Sequence, residues 1–380
     1  MLSPAAFVAF SALSLSVLPL ATADDARSCS TGYESLDPSL FKLKDVPNNY
    51  YSSLSKIFEN SGKNVSVPDV LDSGNRDLVK ESNSGTTIEL WAWNSGDEST
   101  EKWYPQGITS SGDALGSGEW ESREAWLVSW YQNQGQKNVR ISFVDRSTHK
   151  YRHALLVEPT SDSNFTSVPI HAGGIVWYGN ALYVVDTKDG LRVFDLDNIW
   201  EVDIGDGLGR QSSGEYTANS YRYVIPQVRT YSWTAEQPST SFQHSWVSLD
   251  RSTTPDSLLI GEYATTDVDT PIRLVRYSLD YTTRELKTSS GVATSTFAHC
   301  VDILRMQGGF SMNSTYYLDR SNGKSTGGDL FTWKVGEDTP SEQTSNFLPG
   351  PEDLSYNPSR GEYYTVNEHP GERYIAVYKI

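Results

Sequence analysis

The stretch His171-Ala-Gly-Gly-Ile-Val-Trp-Tyr-Gly-Asn-Ala-Leu-Tyr-Val-Val-Asp-Thr-Lys-Asp-Gly-Leu-Arg-Val-Phe-Asp-Leu196 reads as three short strands in succession. Residues 175–178 form the first, 181–186 the second and 191–196 the third. Between them stand Gly179-Asn180 and Lys188-Asp189-Gly190. Asn, Asp and Gly tolerate positive φ, so both are turn signals. The whole is one antiparallel meander, and weaker copies recur along the chain.

The 380 residues are 37% hydrophobic, enough for a sizeable core. With 22 Tyr, 12 Phe and 11 Trp against 3 Met, the side chains suit pleated, half-buried strands. A net charge of −17 argues against a nucleic-acid partner and against an anionic membrane face.

Residues 1–23 are apolar and end in Ala21-Thr22-Ala23, which reads as a secretory signal peptide although no Lys or Arg precedes the apolar run. A signal anchor is the competing reading; the run is short for a span and broken by Ser and Pro. Three sequons, at Asn64, Asn164 and Asn313, fit a secreted, extracellular glycoprotein. Cys29 and Cys300 either pair, tying the N-terminal tail to a distant part of the body, or Cys300 is a buried apolar residue and Cys29 is free.

Residues 24–86 form a polar N-terminal extension with one short helix over 50–58, lying over the main body. Strand patterning fills 87–380. The meander openings fall at Trp103, His171, Phe242, Phe297 and Gly350, roughly 50 to 70 residues apart, longer than common blade repeats and therefore carrying long loops. Meanders stacked radially cover one another's faces, so the expected fold is an all-β propeller. Five blades are expected; strands hidden in the extension or a long loop would raise the count to six or seven. The last copy shows three strands, and the alternating segment 87–94 is placed to supply its fourth. A β-sandwich is the main alternative fold.

In a propeller the first strand of each blade lines the channel. The openings put Gln106, His171, His244, His299 and Glu352 at comparable points, with Asp302 and Asp353 close by. Three of the six histidines fall there. One reading is a hydrated channel mouth, with Gly173-Gly174 merely letting strands converge. The sharper reading is convergence of imidazoles and carboxylates for proton transfer, or for a divalent cation in the channel. Glycosidases need two facing acids, for which Glu352, Asp302 and Asp353 are available, Glu352 being the better placed and Asp353 reading more readily as a structural cap or turn acceptor. Trp103 and Tyr178 near the openings offer flat faces to a sugar, or pack the core. Neither a phosphate-binding glycine loop nor a Gly-x-Ser-x-Gly elbow is present. The acidic run 265–269 is a weak calcium-loop pattern, more readily read as a solvated loop.

Lys102-Trp-Tyr-Pro-Gln-Gly107, Leu127-Val-Ser-Trp-Tyr131 and the stretch from His171 to Asp195 resemble secreted β-propeller proteins of filamentous fungi and actinobacteria. The resemblance covers about residues 103–380. It implies fold and export and carries no catalytic residue over.

The function expected is an extracellular enzyme, lyase or hydrolase, acting on a glycan or glycoside at the channel mouth. His171, His244 and His299 would serve as acid–base or positioning groups with Glu352 as carboxylate partner. Gln106, Trp103, Tyr178, Asp302, Asp353 and Arg305 would contact substrate, Arg305 neutralising a uronate in a lyase. A non-catalytic carbohydrate-binding propeller and a tailoring enzyme for a small secreted metabolite are the alternatives. A glycan or small molecule is the expected partner, and a monomer the expected state.

Overall fold

The computed structural model describes residues 29, 32–135, 137–234, 242–265 and 272–380. The expected signal peptide and most of the acidic run 265–269 lie outside these residues.

Among the described residues, five four-stranded antiparallel meanders follow one another. Meander one is Trp103–Ser110, Ala125–Gln132, Val139–Asp145 and Lys150–Ser161. Meander two is Ile175–Tyr178, Ala181–Asp186, Gly190–Asp195 and Tyr223–Trp233. Meander three is Trp246–Asp250, Ser257–Gly261, Arg273–Ser278 and Phe297–Cys300. Meander four is Gly309–Met312, Thr315–Arg320, Asp329–Lys334 and Ser341–Gln343. Meander five is Pro351–Asn357, Glu362–Asn367 and Tyr374–Lys379, completed by Glu89–Ala92. Each first strand touches the first strand of the next meander, and the fifth returns to the first. The sheets therefore fan around one axis as a β-propeller.

The long apolar runs follow from this arrangement, because both faces of each sheet are buried. Ile175 and Trp177 point into the apolar layer shared with meander one, while Val176 and Tyr178 point into the layer shared with meander three. Leu182 and Val184 alternate with Tyr183 and Val185 in the same way. One such layer fills each gap between neighbouring sheets. A fully buried Val, Leu or Phe contributes about 1.5–3 kcal/mol, so the layers hold the ring. Where the first strands of meanders two and three converge, the backbones approach too closely for a side chain at Gly174. A Cβ on Gly174 would stand 2.4 Å from Val247 N and 2.7 Å from Trp246 Cα.

The N-terminal extension is woven into the ring rather than laid over it. Lys42–Pro47 pairs with Tyr223–Trp233, the outer strand of meander two, on one side and with Val292–Thr294, just ahead of the outer strand of meander three, on the other. Open edges attract other chains, and this strand closes them. The helix runs over Tyr51–Asn60 and buries Leu54 and Phe58. The Phe58 ring lies flat on Trp200 at 4.5 Å. Cys29 and Cys300 form a disulfide.

One expected opening is corrected. Phe297–Cys300 is the outermost strand of meander three, paired with Arg273–Ser278, and not the start of a fourth blade. It reads as an inner strand because the N-terminal tail covers it: Leu36 N donates to Ala298 O at 3.0 Å. The fourth opening is Gln307-Gly308-Gly309-Phe310.

Candidate active site at the channel mouth

The segments entering the first strands meet around one cavity of about 700 Å³. Gln106, His171, Ser245, Gln307 and Glu352 each reach it from a different meander. Of the residues expected there, the structure brings together Gln106, His171 and Glu352.

Meander five adds a second carboxylate. Glu352 stands opposite Val366, and Glu368 N donates to Gly350 O at 3.2 Å. Glu368 therefore lies two residues beyond Val366, a diagonal neighbour of Glu352 on the same face. Both side chains line the cavity. Gln307 Nε2 donates to Glu352 Oε1 at 2.8 Å, and Gln106 Nε2 donates to Glu368 Oε2 at 3.2 Å. Glu352 is only 2% exposed. Burial, reinforced by Glu368, Asp319 and Asp353, pushes its carboxyl well above the usual range. It therefore keeps its proton where ordinary carboxyls have lost theirs.

Two further acids brace the site. Asp319 Oδ1 accepts from Gln307 N at 2.9 Å and Gly308 N at 2.6 Å, fixing the backbone that presents Gln307. Burial pushes Asp319 up to about 8. Asp353 sits in the bulge of its strand at φ 55°. Its Oδ2 accepts from Ile108 N at 3.0 Å and Ile175 N at 3.3 Å, which ties three first strands together. Asp353 is thus a staple of the axis; the cavity lining does not include it.

His171 opens onto the cavity, and its ring stacks on Tyr131 at 4.4 Å. The residue is exposed at the mouth, yet the protein packed about its ring partly desolvates it, and that, with Lys137 adding to it, lowers the imidazole pKa. Burial, with Glu368 next in order, pushes the Tyr131 phenol up to about 12.

The other two histidines do not join it. Gln243 and Ser245 line the cavity, and His244 between them points the opposite way, as alternation in extended chain requires. Its ring lies 4.9 Å from Phe242 and 5.8 Å from Trp233, buried among aromatic side chains. Burial lowers its pKa to about 3. His299 is on the outer strand, its Nδ1 3.1 Å from Cys300 O and its ring edge-on to Trp333.

Four other expected contacts lie elsewhere. Asp302 is exposed beside Gly32 of the N-terminal tail. Arg305 donates to Asn322 Oδ1 at 3.0 Å. Trp103 lies under the Arg140 guanidinium at 4.6 Å and lines a separate cavity. Tyr178 ends its strand at the opposite mouth, where its hydroxyl donates to Asp256 Oδ2 at 3.0 Å. Among the described residues no group of three or more His, Cys, Asp and Glu is arranged to hold a metal ion.

Sequence reading missed Gln307, Glu368 and Asp319. Gln307-Gly308-Gly309 repeats the polar-then-glycine form of Gln106-Gly107 and could have been found by it. Glu368 carries no such signal, because a strand pairing alone brings it in.

The three sequons differ. Asn313 is exposed in the two-residue turn between Gly309–Met312 and Thr315–Arg320. Asn64 Nδ2 donates to Asn198 Oδ1 at 2.6 Å, and Asn164 Oδ1 accepts from Arg210 N at 2.6 Å.

No family model matches the sequence, and no curated protein matches it. Among solved structures, the chain is similar to the β-propeller domain of Cps50 (Swd1) from Myceliophteria thermophila, at 9% identity and a TM-score of 0.34, over 80% of this chain and 100% of that one. It is also similar to the GH43_1 enzyme from Xanthomonas citri solved with xylose, at 9% identity and a TM-score of 0.36, over 77% of this chain and 89% of that one.

Proposed function

We propose that this protein is a secreted enzyme that hydrolyses a glycan or glycoside, with Glu352 as proton donor and Glu368 as the partner carboxylate. The observation that carries the reading is the pair itself: a buried, proton-holding carboxyl and a second carboxylate on the same face of one hairpin, both lining one cavity. Glycoside hydrolysis needs a protonated acid at the leaving oxygen and a second carboxylate to activate water or attack the sugar. Gln307 engages one oxygen of Glu352 and leaves the other to hold the proton. His171 and Gln106 orient the substrate, and the Tyr263 ring in the lining offers it a flat face. Hydrolysis is favoured over a histidine-based lyase because only His171 of the three expected imidazoles reaches the cavity. The Cys29–Cys300 disulfide supports export, since such bonds persist in oxidising compartments.

A panel of glycosides and polysaccharides, assayed for new reducing ends, tests the reading. Glu352→Gln is expected to lower turnover about a thousandfold while the fold remains. Ultraviolet-absorbing unsaturated products would replace hydrolysis with lyase chemistry. Retention on a sugar column without turnover would make the protein a binding module.

A further inference from the structure

Four arginines gather on the outer flank of the ring, where meanders one and two join. They line a cavity of about 260 Å³ that shares no residue with the channel mouth. Arg140 comes from Val139–Asp145 and Arg152 from Lys150–Ser161. Arg76 arrives on the short strand Arg76–Asp77, which pairs with Tyr151 and Lys150. Arg222 comes from meander two. Tyr223–Trp233 runs parallel to Lys150–Ser161 with Val224 beside Leu155, so Arg222 is carried alongside His153 and Arg152.

The charges do not balance within the described residues. Asp97 takes Arg140 Nη2 at 2.8 Å and Arg76 Nε at 3.2 Å, and Glu201 takes Arg222 Nε at 2.9 Å. His153 adds no charge near neutral pH, because burial above all pushes its pKa to about 3. Four cations thus face two carboxylates, in a chain whose net charge is −17. Arg152 makes no ion pair with a described carboxylate; its hydrogen bond to Ser73 O is 3.5 Å long. Burial, with the charges of Arg222 and Arg76 behind it, lowers its pKa. Arg140 is 5% exposed, and its Nε has no hydrogen-bond partner among the described residues. Like charges held together around a polar hollow are relieved by a counter-ion, and the guanidinium fork matches planar and tetrahedral oxyanions. A second cavity of about 600 Å³ adjoins the first through Asn219 and Tyr221. There Trp103 and Tyr221 stand edge to face at 6.3 Å, beside Lys102 and Gln132. An anion held by the arginines would have an aromatic and amide wall beside it for whatever carries it.

We propose that this pocket binds an oxyanion, a sulfate, phosphate or carboxylate group, either free or borne on a saccharide. The site is independent of the channel mouth, and its test needs no turnover. Isothermal titration of the intact protein with sulfate, phosphate, glucuronate, a glucose sulfate and a glucose phosphate, at ionic strength fixed with chloride, measures it. The expected result is saturable binding of at least one oxyanion, weakened about tenfold or more by Arg152→Gln and by Arg222→Gln. Arg152→Lys keeps the charge without the fork and is expected to fall between. It gives the reading if a Gln variant fails to fold: weakened binding supports the site and unchanged binding refutes it. Tighter binding of the sugar-borne group than of the inorganic ion assigns the saccharide as source, and equal binding assigns the free anion. Absence of binding to the wild-type protein, or binding unchanged in both folded Gln variants, overturns the proposal.

Discussion

Gln307 donates its side-chain amide to Glu352 Oε1 at 2.8 Å, joining the fourth and fifth meanders across the mouth of the channel. Asp319 in turn holds the backbone of Gln307. The aim of the proposed acid is therefore set by a residue on another sheet. Gln307→Leu removes the donor and keeps most of the bulk. It is expected to lower kcat on the substrate found by the panel about tenfold to a hundredfold, with KM little changed. Equal kinetics for the two proteins would remove Gln307 from the site.

The pH profile tests the acid itself. Burial above all, then Glu368, raises Glu352, and the donor form is the protonated one. Activity is expected to fall on the alkaline side only as pH passes this raised value, well above the ordinary glutamate pKa of about 4.3. A descending limb near that ordinary value would assign the proton to another group.

Asp319 makes folding pH-dependent. Its folded pKa of about 8 lies above its unfolded value, so the folded state binds the extra proton. The contribution is fully present below the unfolded pKa of about 3.9 and is lost as pH rises toward 8. Asp319→Asn keeps an oxygen for Gln307 N and Gly308 N and cannot ionise. The variant is expected to melt about 2 °C or more above the wild type at alkaline pH and to lose that advantage in acid. Melting curves at both ends of the range decide it.

A chain of donors runs through meander one. Trp130 Nε1 donates to Ser142 Oγ at 2.8 Å, Ser142 Oγ lies 2.9 Å from His153 Nδ1, and His153 Nε2 lies 3.1 Å from Asp97 Oδ2. The order Ser-His-Asp is that of a hydrolase triad, but Ser142 is fully buried beneath the indole and no substrate reaches it. Its role is structural. Burial acts to raise the Asp97 pKa, but the hydrogen bond from His153 and the charge of Arg140 outweigh it and hold the carboxyl well below the usual range. The sign is opposite to that of Asp319: stability is present above the unfolded aspartate pKa and is lost as pH falls through the lower folded value. Asp97→Ala leaves Arg140 and Arg76 unpaired and is expected to cost about 3–5 kcal/mol in chemical denaturation. A loss below about 1 kcal/mol would mean that the network carries little of the fold's stability.

The disulfide closes a loop spanning 271 positions and clasps the tail to the outer strand of meander three. Replacing both cysteines by serine is expected to lower stability by about 2–4 kcal/mol, read by denaturant unfolding of the double variant. No change would mean that the backbone pairing of Leu36 with Ala298 holds the tail unaided.

The ring was readable because sheets buried on both faces write unbroken apolar runs, and because turns such as Gly179-Asn180 punctuate them. The failures have the same physical root. Phe297–Cys300 looks like an inner strand because the tail covers its outer side. By position His244 belongs with the openings, but neighbours in extended chain face opposite ways, and the cavity takes Ser245. Glu368 and Arg222 owe their places to pairing between strands. No local pattern in the sequence records such pairing.

The fifth sheet borrows Glu89–Ala92 from the stretch ahead of meander one. Gln106 stands just past that seam, while Glu352 and Glu368 stand on its other side. The proposed chemistry thus straddles the join where the circle is fastened. As synthesis proceeds, four sheets can stack before the two carboxylates exist, and the amide waits without its partner. Activity would then begin only when the clasp shuts, which makes it a direct gauge of completed folding.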